Sequence, residues 1–77
     1  MTHTPHQLAE EFPARVDAIH ALRETDENFR KLTDTYQEVN HALHRAETRL
    51  DTISEEEEAR LRRQRLALKD QIAARLA

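Results

Sequence analysis

The sequence predicts an all-α protein, namely an antiparallel, coiled-coil-like helical hairpin preceded by a shorter N-terminal helix, in one domain of 77 residues. The chain has no glycine and no alternating β-branched run, so tight hairpin turns and strands have little to start from. Ala, Leu, Glu, Arg and Gln, which favour helices, are abundant. An apolar repeat with helical spacing runs through the middle of the chain.

The leading helix is predicted over residues 5–24, after a frayed start at residues 1–4. Pro5 suits the first helical position, where its missing N–H costs nothing. Pro13 is expected to kink or restart the helix, because proline cannot donate the bond that an inner turn needs. The apolar residues of this helix are out of phase with the later repeat. That slip indicates a break or bend near residues 23–26, with one continuous helix as the alternative.

The long helix is predicted over residues 26–51, with Thr25 or Asp26 as its cap. Its apolar residues step alternately by three and four, which is typical of a coiled-coil seam. The predicted hairpin seam of this helix comprises Phe29, Leu32, Tyr36, Val39, Leu43, Ala46 and Leu50.

The return helix is predicted over residues 55–76, because Ser54 and Glu57 can form a capping box. It follows a short connection at residues 51–54. Its seam comprises Leu61, Leu68, Ile72 and Leu76. The expected antiparallel pairing sets Leu68 opposite Leu43 and Leu76 opposite Tyr36.

Arg65 interrupts the seam of the return helix. We expect its stem to lie against the small Ala46 and its guanidinium to pair with Glu47 at the rim. Such a pair would define the register more than it stabilises the fold.

A second apolar stripe on the return helix comprises Ala59, Leu66 and Ala73. A helix with two apolar stripes needs two neighbours, and one core at this length seldom supplies more than about 3–5 kcal/mol. We therefore expect either the leading helix or another copy of the chain to cover the stripe. Among partners, a homo-oligomer, favoured as a dimer, is expected, with an unidentified protein partner as the alternative. The chain lacks cysteine, so disulfides are excluded and a cytoplasmic setting is expected.

A basic stretch on the return helix offers the alternative function of nucleic-acid binding. Its candidate phosphate contacts are Arg60, Arg62, Arg63 and Lys69. The formal net charge of −3 and the scarcity of aromatic residues for base stacking argue against this alternative. No apolar run is long enough to span a bilayer, and the start of the chain does not resemble a secretory signal.

No catalytic set, cofactor or metal site is predicted. Ser54 is the only serine, it is already assigned to a cap, and a phosphate-binding loop would need glycine. Glu38, His41 and His44 have a spacing that di-iron bundles use, but those sites need further carboxylates and a second such motif. We interpret the two histidines as solvated, with metal bridging between copies as the alternative. His3 could chelate Cu(II) or Ni(II) with the free terminus, incidentally.

The sequence also resembles the YdcH-like family of small bacterial proteins. The resemblance covers about Phe12 to Leu76 and is carried by Phe12-Pro13, Ile19, Leu22, Phe29, Leu32, Tyr36, Arg45-x-Glu47 and the run from Leu61 to Asp70. It implies a short helical hairpin that forms coiled coils, and it implies no activity. The chain departs from the family pattern in two places. Glu27 stands where relatives often have proline, and the connection at residues 51–54 lacks the glycine that relatives often have there.

Overall fold

The computed structural model describes residues 6–48 and 52–77. All regular elements in these two ranges are helical, and the fourth helix packs back along the third, so the predicted helical hairpin is confirmed. The frayed start, Pro5, His3 and Leu50 lie outside the described residues. The elements are α1 (His6–Glu11), a 3₁₀ turn (Pro13–Arg15), α2 (Val16–Thr25), α3 (Glu27–Glu47) and α4 (Glu55–Leu76).

Pro13 divides the leading segment into α1 and α2. The amide of Phe12 still donates to the carbonyl oxygen of Leu8 at 2.9 Å, and the backbone of Phe12 then leaves the helical region with φ −129° and ψ 61°. The chain restarts through the 3₁₀ turn because Pro13 has no N–H to continue the earlier ladder. The leading segment is thus two short helices joined by a 3₁₀ turn rather than one kinked helix.

Asp26 separates α2 from α3. Its backbone is extended, with φ −128° and ψ 105°, and its carboxylate accepts a hydrogen bond from the amide of Phe29 at 3.0 Å. One residue therefore ends α2 and caps α3, which is how an N-cap satisfies an unpaired amide. The predicted break is confirmed, and the continuous-helix alternative is wrong.

The two long helices end differently from one another. Ser54 caps α4 as predicted, since its hydroxyl oxygen accepts from the amide of Glu57 at 3.0 Å. In contrast, α3 ends at Glu47, four residues before the predicted end. The hydroxyl of Thr48 donates to the carbonyl oxygens of His44 and Arg45, and such bonds compete with continuation of a helix.

The core lies between α3 and α4 and is extended by the leading segment. Leu8 from α1 and Ile19 from α2 are fully buried, and Phe12 and Leu22 pack against the core from its edge. The α1–α2 segment thus shares in the core that holds the hairpin together. The buried apolar residues are Leu8, Ile19, Phe29, Tyr36, Val39, Leu43, Leu68, Ile72 and Leu76. Among the other predicted seam residues, Leu32, Ala46 and Leu61 are half-buried.

The contacts between α3 and α4 fall nearer to the start of α3 than the predicted pairing requires. The prediction set Leu76 opposite Tyr36, but Arg75, next to Leu76, lies with its guanidinium carbon 5.6 Å from the ring centroid of Phe29. Residues of α4 thus face positions nearer to the start of α3. A seven-residue shift leaves an apolar repeat facing an apolar repeat, so the seam alone does not select the register.

Candidate functional site

The second apolar stripe of α4 remains open to solvent. Leu66 is 59% exposed and is the exposed large apolar side chain among the described residues. Ala73 is exposed and Ala59 is half-buried. We call these three residues the outer stripe. The leading segment reaches only one border of the outer stripe, where Glu11 lies 2.7 Å from Lys69. Because Leu66 stays largely exposed, the leading segment does not cover the stripe as one of the two predictions required.

Charged residues border the outer stripe on both sides. Arg63 and Asp70 are exposed on one side, whereas Arg62 and Lys69 lie on the other. The Lys69 ammonium is 2.7 Å from a carboxylate oxygen of Glu11 in α1, and this hydrogen bond raises the pKa of Lys69. The α1 helix is therefore tied to α4 along one border of the stripe.

A polar groove of about 340 Å³ lies between α1 and the hairpin, next to Leu66. Burial raises the pKa of the Tyr36 hydroxyl in this groove, and the nearby carboxylate of Glu11 adds to the effect. The groove presents charges of both signs, so it has no strong preference for an anion or a cation. Its lining residues are Glu10, Glu11, Tyr36, Asn40, Arg62, Arg65, Leu66 and Lys69.

The predicted pair between Arg65 and Glu47 is wrong. A guanidinium nitrogen of Arg65 donates instead to the side-chain oxygen of Asn40 at 3.0 Å, while Glu47 lies 3.9 Å from Arg62. The cause is the shifted register, which sets Arg65 beside the middle of α3 rather than its end. Arg65 still crosses the hairpin, but to a neutral amide.

Three of the four predicted phosphate contacts face carboxylates. Arg60 donates from Nε to Glu57 at 3.0 Å, and this hydrogen bond lowers the pKa of Glu57 and raises that of Arg60. Arg62 lies 3.4 Å from Glu58, and Lys69 is held by Glu11 as described above. The basic stretch is thus interleaved with acidic partners.

The histidines of α3 are not gathered into a cluster. His41 and His44 are exposed, as is Glu38, and no group of three potential metal ligands occurs within residues 6–48 and 52–77. His20 on α2 lies 3.1 Å from Glu24, one turn away on the same helix.

Within residues 6–48 and 52–77, no helix is both long and apolar enough to cross a bilayer.

A buried arginine, which our sequence reasoning missed, joins α2 to α3. Arg23 is only 8% exposed, and one terminal nitrogen donates both to the hydroxyl of Thr33 and to the carboxylate of Asp34, the latter at 2.8 Å. Its Nε is buried without a hydrogen-bond partner. A signal was present, because position 23 lies four residues after Ile19 and so on the same buried face of α2.

A second arginine holds the end of α4 against the junction of α2 and α3. Arg75 packs over Phe29, as described above, and its guanidinium also donates to Asp26, which lowers the pKa of that carboxyl group. Nearby, Arg15 donates to the backbone oxygen of Leu76. These contacts secure the end of the hairpin opposite the connection.

Comparison with known proteins adds a family without an activity. A family model described as "Protein of unknown function (DUF465)" matches residues 29–76, which include all but the first two residues of α3, the connection and α4. No curated protein and no solved structure matches the chain significantly.

Proposed function

Because this chain belongs to the family described as "Protein of unknown function (DUF465)", which includes the YdcH-like proteins it resembles and carries no known chemistry, we propose its function from its surface. The protein is a non-catalytic interaction module that self-associates through the outer stripe. The observation that carries this proposal is the exposure of Leu66 on a helix whose opposite face is already used in the core.

The energetics favour closure of the outer stripe. Burying a whole leucine side chain is worth about 1.5–3 kcal/mol, so burying the exposed part of Leu66 contributes roughly 1–2 kcal/mol for each copy. A chain of this length has a small core and gains comparatively much from such a contact. The flanking alanines allow a partner helix to approach closely. A cytoplasmic setting belongs to the same proposal, because the cysteine-free chain relies on packing rather than disulfides.

Nucleic-acid binding through Arg60, Arg62, Arg63 and Lys69 is the weaker alternative. A phosphate would have to displace the carboxylates that already face three of these cations. Apolar association persists as the salt concentration rises, whereas phosphate binding weakens steeply because counterions are released.

The test measures the mass of the protein by light scattering over a concentration series. We expect the apparent mass to rise from the 9.0 kDa of one chain toward twice that value, at low and high salt alike. Leu66→Gln, which keeps helix propensity and removes the apolar contact, should shift the protein to the monomer. Ala67→Gln is the matched control, because Ala67 is exposed beside the stripe.

A monomer at every concentration would overturn the proposal, and so would equal association of both variants. Circular dichroism of each variant verifies that the helices are retained. A duplex oligonucleotide titrated at low salt separates the alternative, which requires binding that falls as salt is added.

A further inference from the structure

The outer stripe is symmetric about its central residue. Ala59 lies seven residues before Leu66, and Ala73 lies seven residues after it. Seven residues are nearly two helical turns, so all three side chains leave the helix within about 20° of one direction. A stripe that is the same in both directions can pair with itself across a two-fold axis.

Resting on the proposed function, we infer that the partner is a second copy of this chain whose α4 lies antiparallel to the first, with the two-fold axis at Leu66. The two Leu66 side chains then meet at the centre. On each side of them, Ala59 faces the partner's Ala73, and small residues at both positions let the backbones approach. The contact is isologous and closes after two copies.

The charges on one border of the stripe are complementary in this antiparallel arrangement. With about 100° of rotation per residue, Arg63 and Asp70 lie on the same side of the outer stripe, three residues before and four residues after Leu66. The two-fold axis therefore brings Arg63 next to the partner's Asp70, and this pair occurs twice. Both side chains are exposed in the single chain.

The other border places Arg62 next to the partner's Lys69. Their repulsion is reduced, since Glu58 lies 3.4 Å from Arg62 and Glu11 lies 2.7 Å from Lys69. The remaining cation beside the stripe is Arg63, and it is the one that meets the partner's Asp70.

A parallel pair of α4 helices would be less favourable. It would set Arg62 beside the partner's Arg63 and Lys69 beside the partner's Asp70, so the border charges match about as well as in the antiparallel pair. It would also bring the first turn, Glu55–Glu58, against its own copy. Like charges at short distance oppose association, and the parallel helix dipoles add to the effect. In the antiparallel pair the two acidic turns lie at opposite ends, roughly 30 Å apart at 1.5 Å per residue.

Disulfide crosslinking tests the arrangement, and the absence of native cysteine removes any background. We expect Leu66→Cys to form a crosslinked dimer on oxidation, because the two Cα atoms come near the distance that a disulfide needs. A mixture of Ala59→Cys and Ala73→Cys chains should crosslink to each other, whereas each variant alone should remain largely uncrosslinked. Ala67→Cys is the control for random collision.

Efficient crosslinking of Ala59→Cys with itself would indicate a parallel pair and overturn the inference. A dimer by light scattering in which the mixed Ala59→Cys and Ala73→Cys chains fail to crosslink would also overturn it, while leaving the proposed function intact. A monomer by light scattering would overturn both.

Discussion

Arg23 offers a test of how the leading segment is held on the hairpin. Replacement by methionine keeps an unbranched stem in the same space and removes the guanidinium. We expect the free energy of unfolding to stay within about 1 kcal/mol of the parent, or to rise slightly, because a buried ion pair is often replaced by apolar packing without loss.

The magnitude follows from the contacts of Arg23. Its buried Nε has no hydrogen-bond partner, and such a group costs about 1–3 kcal/mol. The carboxylate of Asp34 is 50% exposed, so the ion pair contributes only about 0–1 kcal/mol and Asp34 remains hydrated without it. The hydroxyl of Thr33 keeps its bond to the carbonyl oxygen of Arg30 at 2.9 Å. The stabilisation lost with the ion pair and the penalty removed with the unbonded Nε therefore nearly cancel.

Urea unfolding followed by far-UV circular dichroism measures the change. Arg23→Ala is the control, since it removes the charge and the stem together and should cost more through the cavity that it leaves. A destabilisation of more than about 2 kcal/mol by Arg23→Met would refute the reasoning. It would mean that the ionic contacts to α3, rather than the packing of the stem, hold α2 in place.

Two further predictions concern the seam and the junction. Leu43 is fully buried, so Leu43→Ala should lower the free energy of unfolding by about 2–5 kcal/mol and come close to unfolding the protein. Leu66→Ala should change the stability of the monomer by less than about 0.5 kcal/mol, because Leu66 is exposed. Thermal melts of dilute samples compare the two variants, and equal effects would contradict the difference in burial. The pKa of Asp26 is lowered from 3.8 by Arg75, so its ionised form contributes stability that is present above pH 3.8 and is lost as the pH falls through that value and below. Asp26→Asn should therefore be less stable than the parent at neutral pH and approach it in acid, and a difference independent of pH would exclude the charge as the cause.

Local chemistry made several features predictable. Asp26 and Ser54 each place a side-chain oxygen within reach of an amide three residues later, and that bond starts a helix wherever the segment lies in space. Pro13 acts equally locally, through the N–H that it lacks. The apolar repeat of α3 predicted one buried face, and its members Phe29 and Leu43 are fully buried.

Contacts between distant residues were not predictable in the same way. The partner of Arg65 was assigned to Glu47 because the register was taken from the seam, yet the side chain bonds Asn40. Arg23 was not expected inside the molecule, because arginine is seldom buried without a reason that only its neighbours provide. Those neighbours, Thr33 and Asp34, belong to the next helix.

The sequence by itself determined where the helices of the hairpin start, which face of each is apolar, and that α4 has one apolar stripe more than a hairpin uses. These properties depend on residues within a few positions of one another. Only the tertiary structure decided the register, the position of α1 and α2, and the exposure of Leu66. A heptad repeat matches itself after every shift of seven residues, so the choice among registers depends on contacts at the helix ends, such as that of Arg75 with Phe29 and Asp26, which form only once the chain has folded back.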